Sequence, residues 1–269
     1  MKLGRIDYLN CYPFYYHMLE REPLAGVTIC PALPSALNRL MAEKALDMSP
    51  VSAAAYSDIK QDALLLPDFC ISSTGLVKSV ILVSRFPIED LNGRTLGLTS
   101  ASRTSVVLLK ILLKKFYKCE PVYRAAGPRP GLKAFDAALL IGDDAMTPEA
   151  DAAPYRYDMG ELWLQKTGRP VVFAVFAVAK SAVGVCPEAV RAVVNSYRAS
   201  LNCLARERPV LAAEAARKYP AVTCDINAYL ETLRYDFTEA RKDALKYYFS
   251  AASELGLLKE VKSLEFAEL

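Results

Sequence analysis

Three short polar segments of this 269-residue chain fall where a predicted strand hands over to a predicted helix. Asn10 closes the first strand in "IDYLNCYPFYY", and Pro13 opens the helix behind it. Ser49-Pro50-Val51-Ser52 precedes "AAAY". Ser100-Ala101-Ser102-Arg103-Thr104-Ser105 precedes the apolar run "VVLLKILL". The first turn of a helix carries unpaired N–H groups and a partial positive charge. Hydroxyls added there can bind a carboxylate without a metal or a lysine. The same residue types are ordinary helix caps, and for any one segment capping is the simpler account. Three such turns facing one cleft would exceed what capping requires.

Other polar positions are more ambiguous. The Asn10 amide can fix the direction of a hydroxyl or carboxylate oxygen, although Asn also closes turns through its own backbone. Ser79, in "LVKSVILVS", stands at the start of a strand near an expected hinge. Asp143 and Asp144 follow "LLIG" and can be a base, a cap or an anchor for the turn, with the anchor preferred. His17 is the single histidine, so a Ser-His-Asp relay or a histidine-rich metal centre would have to use it. Its place beside Tyr15 and Tyr16 reads as structural. No G-x-G-x-x-G, P-loop or H-E-x-x-H pattern supports a nucleotide or zinc-hydrolase reading.

Composition narrows the partners. Hydrophobic residues make up 53% and charged residues 23%, a globular profile. The net charge of +3, without a Lys/Arg run, gives no ground for nucleic acid but suits a small anionic ligand. Seven cysteines are scattered with no C-x-x-C pair, so reduced core thiols are expected rather than disulfides or zinc. The apolar run 170–185 is broken by Lys180, and no signal core follows Lys2; the expectation is a cytoplasmic protein without a membrane span.

The elements that must position these side chains alternate between strand and helix as far as "PVVFAVFAVAK", and from Pro187 the chain reads as almost wholly helical. Ser35 is the expected cap of the helix in "PSALNRLMAEKALD". Alternation predicts α/β architecture with mainly parallel pairing. A turn in "FPIEDLNG" and the buried strand near 172–178 suggest two crossings between lobes. The expected limits are 1–85 for lobe I, 86–175 for lobe II and 176–269 for the return to lobe I. Ligands in such sheets sit at the carboxyl ends of the strands.

In chain order, "IDYLNCYPFYY", "LDMSPVSAAAY", "VKSVILVSR", "LTSASRTSVVLLKILL", "ALLIGDDAM" and "DMGELWLQKTGRPVVFAVFAV" resemble the chorismate dehydratase family of the futalosine route to menaquinone. The resemblance implies a two-lobed type II periplasmic-binding-protein-like fold with an interlobe cleft, acting in the cytoplasm without a cofactor. It implies a small dianionic substrate, chorismate, with no nucleic acid, membrane or obligate protein partner. By position in the family pattern, Asn10 and Ser79 are the implied catalytic residues. Ser52, Ser102, Arg103, Thr104, Ser105, Gly142 and Asp143 are the implied substrate-binding residues. Arg103 either pairs with an anion or ties down its loop. The base is expected to be the substrate's own enolpyruvyl carboxylate, with Asp143 as the protein-based rival. The related dihydroxynaphthoate synthase shares the fold but uses a histidine in its second lobe, and this chain has none after His17. A non-catalytic binding protein for a cyclic carboxylate is the alternative from another class.

Overall fold

The computed structural model describes residues 1–268. The chain starts in one sheet, moves to a second and returns. Strands β1 (Lys2–Ile6), β2 (Thr28–Ala32), β3 (Met48–Ser52) and β4 (Ala63–Ser73) belong to the first sheet. Strands β5 (Val80–Ser84), β6 (Thr95–Leu98), β7 (Val122–Ala125), β8 (Ala137–Ile141) and β9 (Tyr155–Asp158) form the second. Strands β10 (Val171–Ala179) and β11 (Leu233–Asp236) complete the first. The strand orders are β11-β4-β10-β3-β1-β2 and β7-β6-β8-β5-β9. This is the expected α/β, two-lobed arrangement.

Pairing is mixed, not mainly parallel. β1–β2, β1–β3, β6–β7 and β6–β8 are parallel. β10 runs against β3 and β4, β11 against β4, and β5 against β8 and β9. The cause is the sheet exchange. A strand entered from the cleft runs opposite to a strand that leaves toward it. The exchanges occur between Ser73 and Val80 and between Asp158 and Val171, earlier than the expected limits at 86 and 176. β10 reads as an unbroken apolar run because it is flanked on both sides, and every residue but Ala179 is buried.

Local chemistry explains most boundaries. Pro34 opens the helix Pro34–Ala42 from Leu33, so Ser35 is not its cap; proline's fixed φ and missing N–H suit that first turn. The helix Pro187–Lys218 breaks at Glu207 (φ −130°, ψ 30°), just ahead of Pro209, where the sequence reads as two helices. β11 falls in a stretch read as helical; its alternate residues Leu233 and Tyr235 are buried, the period of a strand. The aromatic run after Asn10 is core: Phe14 packs on Phe176 with ring centres 4.2 Å apart and on Tyr197 at 5.4 Å. His17 belongs to that helix and contacts Ser196 Oγ through Nδ1 at 3.1 Å, a packed histidine. The "WLQKTGRP" segment is likewise structural. Trp163 is buried, its indole N–H donates to the Pro170 carbonyl at 3.2 Å, and Gly168 (φ +66°) ends the helix Met159–Thr167.

Candidate functional site

A cavity opens where the carboxyl ends of β1, β3 and β8 meet the segment that enters β5. Its non-atom space, open solvent at the mouth included, is about 490 Å³. Asn10, Ser52, Ser79, Ser102, Ser105 and Gly142 are on its wall, with Ile6, Tyr8, Phe173 and Leu233 among the apolar lining. Residues from both sheets therefore converge, and all three strand-to-helix turns face one space. Among the described residues no charged side chain lines it.

Asn10 occupies a 3-10 turn, Leu9–Cys11, between β1 and the helix Tyr12–Glu20, in which Pro13 lies in the first turn. Its Oδ1 is buried without a hydrogen-bond partner among the described residues, and so is the Tyr8 hydroxyl. A buried acceptor left unpaired costs free energy on the order of 1–3 kcal/mol, and such groups call for a partner supplied from elsewhere.

Ser79 is held from two directions. Lys78 before it takes a left-handed backbone (φ +62°), strained for a residue with a side chain. The buried Asp158 carboxylate secures that turn by accepting from Val77 N–H at 3.1 Å and Lys78 N–H at 2.7 Å. The same carboxylate caps the next helix, accepting from Gly160 N–H at 2.9 Å and Glu161 N–H at 3.1 Å. From the other side, the Tyr229 hydroxyl donates to Ser79 Oγ at 2.9 Å.

Ser102 is both a cap and a wall residue. Its Oγ accepts from Ser105 N–H at 3.3 Å, and the two hydroxyl oxygens lie 3.1 Å apart at the start of the helix Arg103–Ile111. Ser52 ends β3, where its N–H donates to Asn38 Oδ1 at 2.9 Å.

Arg103, Thr104 and Asp143 are brought close to the cavity but not onto its wall. Arg103 forms an ion pair with Asp58 of the helix Tyr56–Ile59. Thr104 Oγ1 accepts from Ala54 N–H at 3.1 Å. Asp143 Oδ1 accepts from Leu9 N–H at 3.1 Å. Each of the three ties an element of the second sheet to one of the first. Gly142 is needed where it stands: its φ is +60°, and a Cβ there would meet the Tyr8 ring at 2.8 Å. Burial pushes the Asp143 carboxyl up to about 6 against the lowering bond from Leu9, with Asp144 and Asp7 adding to the rise. Asp144 is also raised by burial, although Arg129 lies 2.7 Å away and opposes the shift.

A family model described as menaquinone biosynthesis matches residues 1–254. The chain belongs to the menaquinone biosynthesis family. It is 33% identical to chorismate dehydratase from Thermus thermophilus over 274 residues, 95% of each chain. It is 27% identical to 1,4-dihydroxy-6-naphtoate synthase from Streptomyces coelicolor over 236 residues, 81% of this chain and 80% of that one. In fold it is similar to the periplasmic aliphatic sulphonate binding protein from Escherichia coli, with a TM-score of 0.70 at 14% identity, covering 97% of this chain and 94% of that one. Among the described residues no helix is long and apolar enough to cross a membrane.

For this menaquinone biosynthesis family member, two residues beside the wall groups escaped the sequence reading. Tyr8 lies inside a quoted motif, and its position two residues before Asn10 was an available signal. Tyr229 comes from "INAYLET" with no local pattern to mark it.

Proposed function

We propose that this protein eliminates water from chorismate to give 3-[(1-carboxyvinyl)oxy]benzoate, a carbon–oxygen lyase step of menaquinone biosynthesis. One observation carries the reading at the level of chemistry. Asn10, whose amide oxygen is buried without a hydrogen-bond partner among the described residues, lines a cavity whose other polar wall groups are neutral hydroxyls from both sheets. Such a wall binds a dianion through dipoles and does not need a bound cation.

The ring C3–H is acidified by conjugation to the ring carboxylate. Its removal builds dienolate charge on that carboxylate, and the C4 hydroxyl then leaves. The C3 proton and the C4 hydroxide depart together as water, and the ring becomes aromatic. Asn10 Oδ1 accepts the hydrogen of the C4 hydroxyl and orients the departing oxygen. Ser79 donates to the carboxylate on which charge develops, the kind of contact that strengthens in the transition state. Ser102 and Ser105, with the N–H groups of their helix, hold the second carboxylate, and Ser52 closes that side. The proton is taken by the substrate's own enolpyruvyl carboxylate. Support comes from Asp143, which lies off the wall with Oδ1 engaged by Leu9 N–H.

Incubating the purified protein with chorismate and following the aromatic product by chromatography tests the reading. Product formation at a rate proportional to enzyme is expected. Saturable binding of chorismate with no product would leave a non-catalytic binding protein, the role named for the sulphonate-binding neighbour.

A further inference from the structure

We infer that Tyr229 is a positioning residue that fixes the Ser79 hydroxyl as a hydrogen-bond donor to the bound carboxylate, an inference that rests on the dehydratase reading above. Tyr229 and Ser79 are 150 residues apart in sequence, and their oxygens lie 2.9 Å apart. Both side chains are out of reach of bulk solvent, at 0% and 1% exposure. Tyr229 sits on the short helix Ile226–Leu230, and its backbone is pinned. Its N–H donates to the Asp225 carbonyl at 2.9 Å, and its carbonyl accepts from Thr232 N–H at 2.9 Å and Thr232 Oγ1 at 2.8 Å. The phenol has little freedom to point elsewhere.

The direction of this bond decides what Ser79 can do. A serine oxygen offers two lone pairs and one proton. Tyr229 occupies one lone pair, which turns the serine proton outward. Among the described residues the only protein acceptor for that proton is the Val77 carbonyl at 3.4 Å, a long contact. A carboxylate in the cavity is the better acceptor and takes it over. Burial keeps the Tyr229 phenol neutral far beyond the usual tyrosine range, so it remains a donor throughout the working pH. The resulting chain runs from phenol to serine to carboxylate, and each bond polarises the next.

Because Ser79 meets charge that grows in the transition state, loss of the Tyr229 hydroxyl should fall on kcat more than on KM. The test is a four-protein cycle: wild type, Tyr229→Phe, Ser79→Ala and the double variant, each assayed with chorismate. Tyr229→Phe should lower kcat about 10- to 100-fold, the loss typical of a group that orients a contacting residue, with KM changed by less than about 3-fold. In the Ser79→Ala background the same change should have no further effect, a coupling that a purely structural tyrosine would not show. A second pair keeps the ring pocket filled whatever the fate of the phenylalanine variant. Replacing Tyr229 by 4-aminophenylalanine, which retains a donor, should keep kcat within about 3-fold of wild type. Replacement by 4-methylphenylalanine, which lacks one, should lose it. Equal activity of those two, or losses from Tyr229→Phe and Ser79→Ala that multiply, overturns the positioning role alone. A wild type that yields no aromatic product overturns the dehydratase reading beneath it.

Discussion

Ser102 and Ser105 face the cavity, whereas Arg103 and Thr104, from the same helical turn, face the helices of the first sheet. Gly142 and Asp143 divide in the same way, the glycine on the wall and the aspartate against Leu9. Wall and rim differ in chemistry as well as direction. Among the described residues the wall offers one amide and several hydroxyl groups, while Arg103 and Asp143 from the same turns are spent on bonds between the sheets. A single motif therefore supplies both ligand contacts and the ties that bring the two sheets together. Helical phase explains the split, since positions i and i+3 share a face and their intervening neighbours do not.

Substitutions at wall and rim should give different signatures. Asn10→Ala should have the largest effect, lowering kcat about 100-fold, the scale for losing the group that orients the departing oxygen. Steady-state kinetics with a circular-dichroism check of folding would measure it; a change below tenfold would place Asn10 with the rim. Ser105→Ala should act mainly on binding, raising KM about 10-fold, equivalent to one lost charge-assisted hydrogen bond. A pure kcat effect there would move Ser105 from holding to chemistry.

Asp143→Asn sharpens the comparison through pH. The folded carboxyl titrates near 6, above its ordinary value of 3.8. The neutral acid is the form that the fold favours, so its contribution is fully present below about pH 4 and fades as pH rises through about 6. Asn keeps an acceptor for Leu9 and has no charge to bury. Denaturant melts from pH 4 to 7 should show the variant gaining on wild type by at most about 2–3 kcal/mol, then levelling off. A gap that does not vary with pH contradicts this. Turnover should persist, as expected if the proton goes to the substrate. Arg103→Ala should be mildest, since its ion pair with Asp58 is well exposed and such pairs contribute little. Its kcat/KM should stay within about 3-fold of wild type, and a larger loss would return Arg103 to the anion site.

Asn10, Ser52, Ser102 and Ser105 were legible in sequence because a strand giving way to a helix is a local event with a local signature. β10 was legible because full burial leaves an unbroken apolar run. Parallel pairing was misjudged because strand direction depends on which end of a sheet the chain enters, a property no window of residues contains. Tyr229 was silent for a similar reason, its partner lying 150 positions away. The rim role of Thr104 was within reach, since the one-residue offset from Ser105 already turns it to another face.

The Asp158 carboxylate, which gathers N–H groups from 77–78 and from 160–161, does so at both places where the chain passes between sheets. Gly160 lies so near the first passage that a Cβ on it would sit 2.4 Å from the Gly75 carbonyl oxygen. The two passages are thus riveted side by side. A swing of one half of the molecule against the other would turn about that shared point as a single axle, with Ser79 one residue beyond it.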